Sequence, residues 1–108
     1  MSRDKSLIFD IYHSCELILE FTADVTSDQF KDDIMRQDAI IRRIEIIGEA
    51  SNNLSEDFKE QHSEIPWPLI RGMRNRLVHD YGEVDLELVW SKSRNEIRRP
   101  KEQLKPFV

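Results

Sequence analysis

Two runs of isoleucine at helical spacing constrain this chain more than any other feature. Ile8, Ile11, Cys15 and Ile18 step by three, four and three residues, which sets them on one stripe of a helix spanning about residues 4 to 23. Ile40, Ile44, Ile47 and Leu54 form a second such stripe, on a helix over about 33 to 54. Nowhere does the sequence alternate apolar and polar residues as a half-buried strand does. A chain with two long amphipathic helices and no strand signal must bury its apolar stripes helix against helix.

The rest of the punctuation agrees. Thr26 and Ser27 are candidate N-caps before a short acidic turn, and Ser55 can cap another. Pro66 and Pro68 bias the residues before them toward extended geometry and open a third helix, expected from about 67 to 80. Gly82 is suited to close it, because glycine takes the left-handed C-terminal position without penalty. Asp85 can cap a last helix, which Pro100 should kink or interrupt. The expected fold is all-α: one domain over residues 1–108, an antiparallel bundle of four main helices plus a short extra helix or turn.

Composition narrows the functions. The 108 residues suffice for one core and not two, and a formal charge of −5 gives no whole-molecule attraction to nucleic acid or anionic lipid. RNA, if bound, must meet a local basic patch. A single cysteine excludes an internal disulfide and a cysteine-based zinc site. No apolar run in "MSRDKSLIFD" resembles a signal peptide and no window approaches a membrane span, so no membrane is expected and the cytoplasm is the expected compartment.

The chemistry concentrates in "RNRLVHDY", residues 74 to 81. On a continuous helix Ile70, Leu77, Val78 and Tyr81 cluster around the direction of Arg74, placing the guanidinium in an apolar arc. A buried arginine needs a carboxylate or an anionic ligand, and Glu45 or Glu49 on the second long helix are candidates. His79 lies about 140° further round the wheel, with Asn75 about 40° from it. Arginine and histidine converge on one phosphate if the helix frays ahead of Gly82, or if two subunits face each other across a two-fold axis. Such a set suits a phosphodiester. Histidine near neutral pKa can exchange the proton of a ribose 2′-hydroxyl, and arginine can clamp the non-bridging oxygens. That chemistry needs no metal. A bland salt-bridged surface pair has the same spacing.

A second stripe on the second long helix, Gln37, Ile41, Glu45, Gly48 and Asn52, mixes apolar, small and charged groups as an interface does. Arg71 and Arg76, with Arg74, are candidate RNA contacts, while Arg42 and Arg43 read equally well as a solvated face. Trp67 and Trp90 are expected in the core, with Met73 and Cys15 as filler. His13 and His62 lack partners at useful spacing and are expected on the surface.

"RNRLVHDY" is similar to the Arg-x4-His-x-Tyr signature of HepT-like toxins in the HEPN superfamily. "QDAIIRRIEIIGEA", "IPWPLIRGMRNRLVHDY" and "VDLELVW" extend the likeness over most of residues 35 to 90. The resemblance implies a HEPN-like helical bundle that forms a homodimer with the motif lining a cleft between subunits. It implies metal-independent RNA cleavage without a cofactor, Arg74 and His79 being catalytic and Asn75 supporting. It also implies a minimal nucleotidyltransferase antitoxin that uses ATP to attach AMP units to Tyr81, silencing the nuclease. The alternative is a non-catalytic helical dimer that binds such a partner, or a nucleotide, and cleaves nothing.

Overall fold

The computed structural model describes residues 2–75, 77 and 82–108. Its described elements are helical: α1 (Ser2–Thr22), α2 (Ser27–Lys31), α3 (Ile34–Asn53), α4 (Glu56–Gln61), α5 (Trp67–Gly72), α6 (Leu86–Asn95) and α7 (Arg98–Leu104), then a 3₁₀ turn at Lys105–Phe107. No described residue belongs to a strand, and no described helix is long and apolar enough to cross a membrane.

The two long helices lie where the isoleucine stripes place them. Ile11, Cys15 and Ile18 of α1 and Ile40, Ile44 and Ile47 of α3 are fully buried against one another. Each of these isoleucines contributes about 1.5–3 kcal/mol on removal from water. The pair runs antiparallel, tied at both ends. The Asp4 carboxylate at the start of α1 accepts from the Ser55 backbone N–H at 3.0 Å and from its hydroxyl at 2.6 Å, just past the end of α3. At the other end, Arg36 near the start of α3 donates to the Phe21 carbonyl at 2.6 Å, and Arg94 of α6 donates to that of Thr22 at 3.0 Å. A helix leaves its last four carbonyls unpaired, and α1 has no basic residue in its own last turn. Two arginines from elsewhere in the chain supply the donors.

Local signals set the other starts. Thr26 caps α2 in a full capping box with Gln29, Ser55 caps α4, and Asp85 caps α6 by accepting from the Leu88 N–H at 3.1 Å. Pro68 falls in the first turn of α5 and Pro100 in the first turn of α7, where no intrahelical N–H is required. Pro100 accordingly marks the break between α6 and α7.

Trp67 is buried and donates its indole N–H to the His62 carbonyl at 3.0 Å, and Trp90 packs on Phe30 with centroids 5.1 Å apart. Met73 and Cys15 are core residues as expected. Burial pushes the Cys15 thiol up to about 12. The histidines differ from expectation, because both have neighbours that periodicity did not reveal. His13 stacks on Phe9 and stands 3.8 Å from Glu16. His62 packs between Phe58 and Phe107 with Glu64 at 3.7 Å, and so fastens the C-terminal turn.

The third helix is shorter than its pattern. It ends at Gly72, not near residue 80. Glycine weakens the helix there, and the backbone tightens: Met73 N–H bonds to Ile70 O at 3.3 Å and Asn75 N–H to Gly72 O at 2.9 Å, both i to i−3. Gly82 does adopt a positive φ of 89°, but ten residues beyond the end of α5.

Candidate active site

Ending α5 at Gly72 changes the surroundings of Arg74 and Asn75. Met73, not Arg74, takes the buried position after Ile70, and Leu77 takes the next. Arg74 is exposed. The expectation that it lies within an apolar arc assumed a helix continuing through residue 81, and that helix does not exist at residues 73–75. The carboxylate partner expected from Glu45 or Glu49 is also absent: among the described residues Arg74 has no ion pair. An exposed guanidinium stays hydrated and needs none.

Arg74 nonetheless has a defined seat. Its Cγ and Cδ lie over Gly48 of α3, so close that a Cβ on residue 48 would stand 3.2 and 3.1 Å from them. The same Cβ would stand 3.4 Å from the Arg71 carbonyl. Glycine at 48 thus forms a notch for the aliphatic stem of Arg74 while the guanidinium reaches solvent. Two of the five residues of the mixed stripe are thus occupied within the subunit. Gly48 is buried beneath the motif turn, and Gln37 is buried with its amide donating to the Phe30 and Lys31 carbonyls at 2.9 and 3.0 Å. Asn52 alone of the five is exposed, with Ile41 and Glu45 half-buried.

Helix α6 holds the turn from the other side. The Lys92 ammonium donates to the Met73 carbonyl at 2.8 Å and to the Asn75 carbonyl at 3.0 Å. The Asp85 N–H donates to the Leu77 carbonyl at 2.7 Å. The carbonyls of Met73, Asn75 and Leu77 are therefore bonded to one helix and its cap. Neither the role of Lys92 nor the seat at Gly48 is legible in the sequence. A lysine three residues from a buried valine carries no local signal for this role.

Asn75 is exposed, and its Nδ2 stands 3.6 Å from where a Cβ on Gly72 would be. It lines a cleft of about 430 Å³ with Leu69, Gly72, Leu88, Lys92 and Glu96. Arg71 is exposed on the last turn of α5. The structure therefore brings Arg71, Arg74 and Asn75 to one short exposed segment, beside a cleft with two leucine walls and three polar groups. His79, Tyr81 and Arg76, the other expected site residues, lie outside the described residues. Arg42 and Arg43 line a different groove, of about 330 Å³, between α1 and α3, with Asp10, His13 and Glu49. The mixed charges there fit a solvated face. Among the described residues no group of three or more histidine, cysteine, aspartate or glutamate side chains is placed to hold a metal ion.

Fold and turn together define an all-helical protein that offers an arginine and an asparagine to solvent at the edge of a cleft. The chain belongs to the HepT-like ribonuclease family, whose model, "Ribonuclease HepT-like", matches residues 11–107. It is 43% identical over 93 residues to "Probable ribonuclease HepT" of Thermococcus cleftensis, covering 86% of this chain and 84% of that protein. It is 34% identical over 108 residues to "Putative RNase TTE0752" of Caldanaerobacter subterraneus subsp. tengcongensis, covering 100% of this chain and 96% of the relative. A third relative, "Gamma-glutamylcyclotransferase and putative RNase MJ0434" of Methanocaldococcus jannaschii, is 46% identical over 94 residues, and the match spans 42% of that longer protein. No solved structure gives a significant match.

Proposed function

We propose that this protein is an RNA endonuclease in which Arg74 and His79 are the catalytic pair and Asn75 supports them. The observation that carries the reading is membership of the ribonuclease family across residues 11–107, which includes the whole of "RNRLVHDY". The exposure of Arg74 supports it, since a guanidinium with no carboxylate partner among the described residues retains its donors for a phosphate. The His79 imidazole takes the proton of a ribose 2′-hydroxyl, and the freed oxygen attacks the adjacent phosphorus. Arg74 binds the non-bridging oxygens as charge builds on them. The P–O5′ bond breaks, and the leaving oxygen takes a proton from the imidazolium or from water. The products are a 2′,3′-cyclic phosphate and a 5′-hydroxyl, and no metal takes part.

The acting form in this reading is a homodimer, and the nuclease is the toxin of a toxin–antitoxin pair. Its antitoxin is a minimal nucleotidyltransferase. The Tyr81 phenol attacks the α-phosphorus of ATP, forming Tyr81–AMP and releasing pyrophosphate. The added negative charge then repels an RNA phosphate from the site. Arg71 and Arg76 supply the local positive charge that the acidic chain otherwise lacks.

Purified protein incubated with RNA in EDTA tests the core of this. Cleavage should persist there and vanish in Arg74→Ala and in His79→Ala, with both variants folded. Undiminished cleavage by His79→Ala overturns the mechanism. Sedimentation at micromolar concentration should show a dimer, and a monomer removes the two-subunit cleft. With partner and ATP, mass should rise in AMP steps on the wild type and not on Tyr81→Phe.

A further inference from the structure

We propose that Lys92 is a positioning residue for RNA cleavage, acting on Arg74 and Asn75 through the backbone on either side of them. The inference rests on the ribonuclease reading above. The Met73 carbonyl belongs to the peptide plane before Arg74, and the Asn75 carbonyl to the plane after Asn75. One ammonium binds both, at 2.8 and 3.0 Å. Arg74, assigned to the phosphate, and Asn75, which supports it, are therefore held between two pinned peptide planes, and pinning the planes limits where both side chains can leave the backbone.

The need for a cation follows from how α5 ends. The Met73 carbonyl is the C-cap carbonyl of α5 and that of Asn75 belongs to the turn just beyond, and neither accepts a backbone N–H from a described residue. An ammonium has three donors and suits two carbonyls converging from one side. No other described side chain donates to these two oxygens. Lys92 lies on α6, which is itself fixed by the Asp85 cap and by the buried Val89 and Ser93. The turn is thereby referred to a rigid element, not to its own loop. Opposite the clamp, Gly48 gives the Arg74 stem its seat. A turn held on both sides meets the requirement for preorganised donors, for which misplacement of about 1 Å costs about 100-fold in rate.

Lys92→Met keeps the stem and removes the ammonium, and Lys92→Arg restores a cation. With RNA as substrate, Lys92→Met should lower kcat by about tenfold or more while KM stays within about twofold. Lys92→Arg should recover most of the loss. Amide exchange at Asn75 and Asp85, whose N–H groups bond to Gly72 and Leu77, should quicken in Lys92→Met and return in Lys92→Arg. Unchanged kcat in a folded Lys92→Met overturns the proposal. So does a raised KM with unchanged kcat and a shallower salt dependence, which identifies Lys92 as a phosphate contact. If Lys92→Met does not fold, Lys92→Gln, which retains one donating amide, gives the same readings at smaller amplitude. Should the wild type cleave no RNA, the ribonuclease reading fails on its own, and exchange at Asn75 still decides whether Lys92 holds the turn.

Discussion

Replacing Gly48 by alanine separates the stability of this fold from the placement of its arginine. In the interior of α3, alanine is favoured over glycine by about 0.5–1 kcal/mol, because glycine loses more backbone freedom on folding. Against that stands crowding. The new Cβ meets Arg74 Cδ at 3.1 Å and Cγ at 3.2 Å, inside the optimum carbon separation of about 3.5–4.0 Å. The Arg71 carbonyl at 3.4 Å is an ordinary contact. Crowding therefore falls on a flexible, exposed side chain, which relieves it by leaving the notch at about the cost of an off-rotamer torsion, roughly 0.5 kcal/mol. Urea denaturation should show Gly48→Ala unchanged or up to about 1 kcal/mol more stable than wild type. RNA cleavage should fall about tenfold, because the guanidinium moves further than the carbons displaced beneath it. In an Arg74→Ala background the same substitution should stabilise fully. Destabilisation by about 1 kcal/mol or more refutes the argument, since the close approach is then limited by the Arg71 backbone. A stabilised, fully active variant refutes it equally, since the notch then has no part in placing Arg74.

Other expectations follow from the buried ties between helices. Ser55→Ala removes the α4 cap and the hydroxyl partner of Asp4 together, leaving the backbone N–H bond to Asp4, and should cost about 1–2 kcal/mol in chemical denaturation. The two hydrogen bonds from Ser55 hold the Asp4 carboxyl below its ordinary pKa of 3.8, so its contribution is complete above that value and is lost as pH falls through the lower folded value. Acid denaturation of Asp4→Asn should therefore be shallower than that of wild type below pH 3.8, and parallel curves remove this assignment. The Cys15 thiol, raised from 9.0 to about 12, stabilises the fold fully below pH 9 and loses that contribution between the two values. At neutral pH it should resist aromatic disulfide reagents until the protein unfolds, and rapid labelling of native protein contradicts its burial.

Local chemistry made much of this molecule legible. Burial at helical period places the isoleucine stripes, and a cap needs only its own three or four residues, so α1, α3, Thr26, Ser55, Asp85 and Pro100 could be read from neighbours in the chain. Glycine at 48 and arginine at 74 could be read only as residues. Their meeting depends on how α3 and α5 pack, and with it the meaning of a stripe that resembled an interface. The end of α5 was likewise illegible. A periodic apolar pattern from 67 to 81 permits a helix, but Lys92, 17 residues beyond Asn75, draws off the carbonyls that a longer helix would bond within itself. Arg94 reaches Thr22 across 72 residues in the same way. Periodicity and caps act within a turn or two of the chain. Where a helix stops and whether its arginine is buried or offered to solvent depend on donors that only tertiary packing brings near.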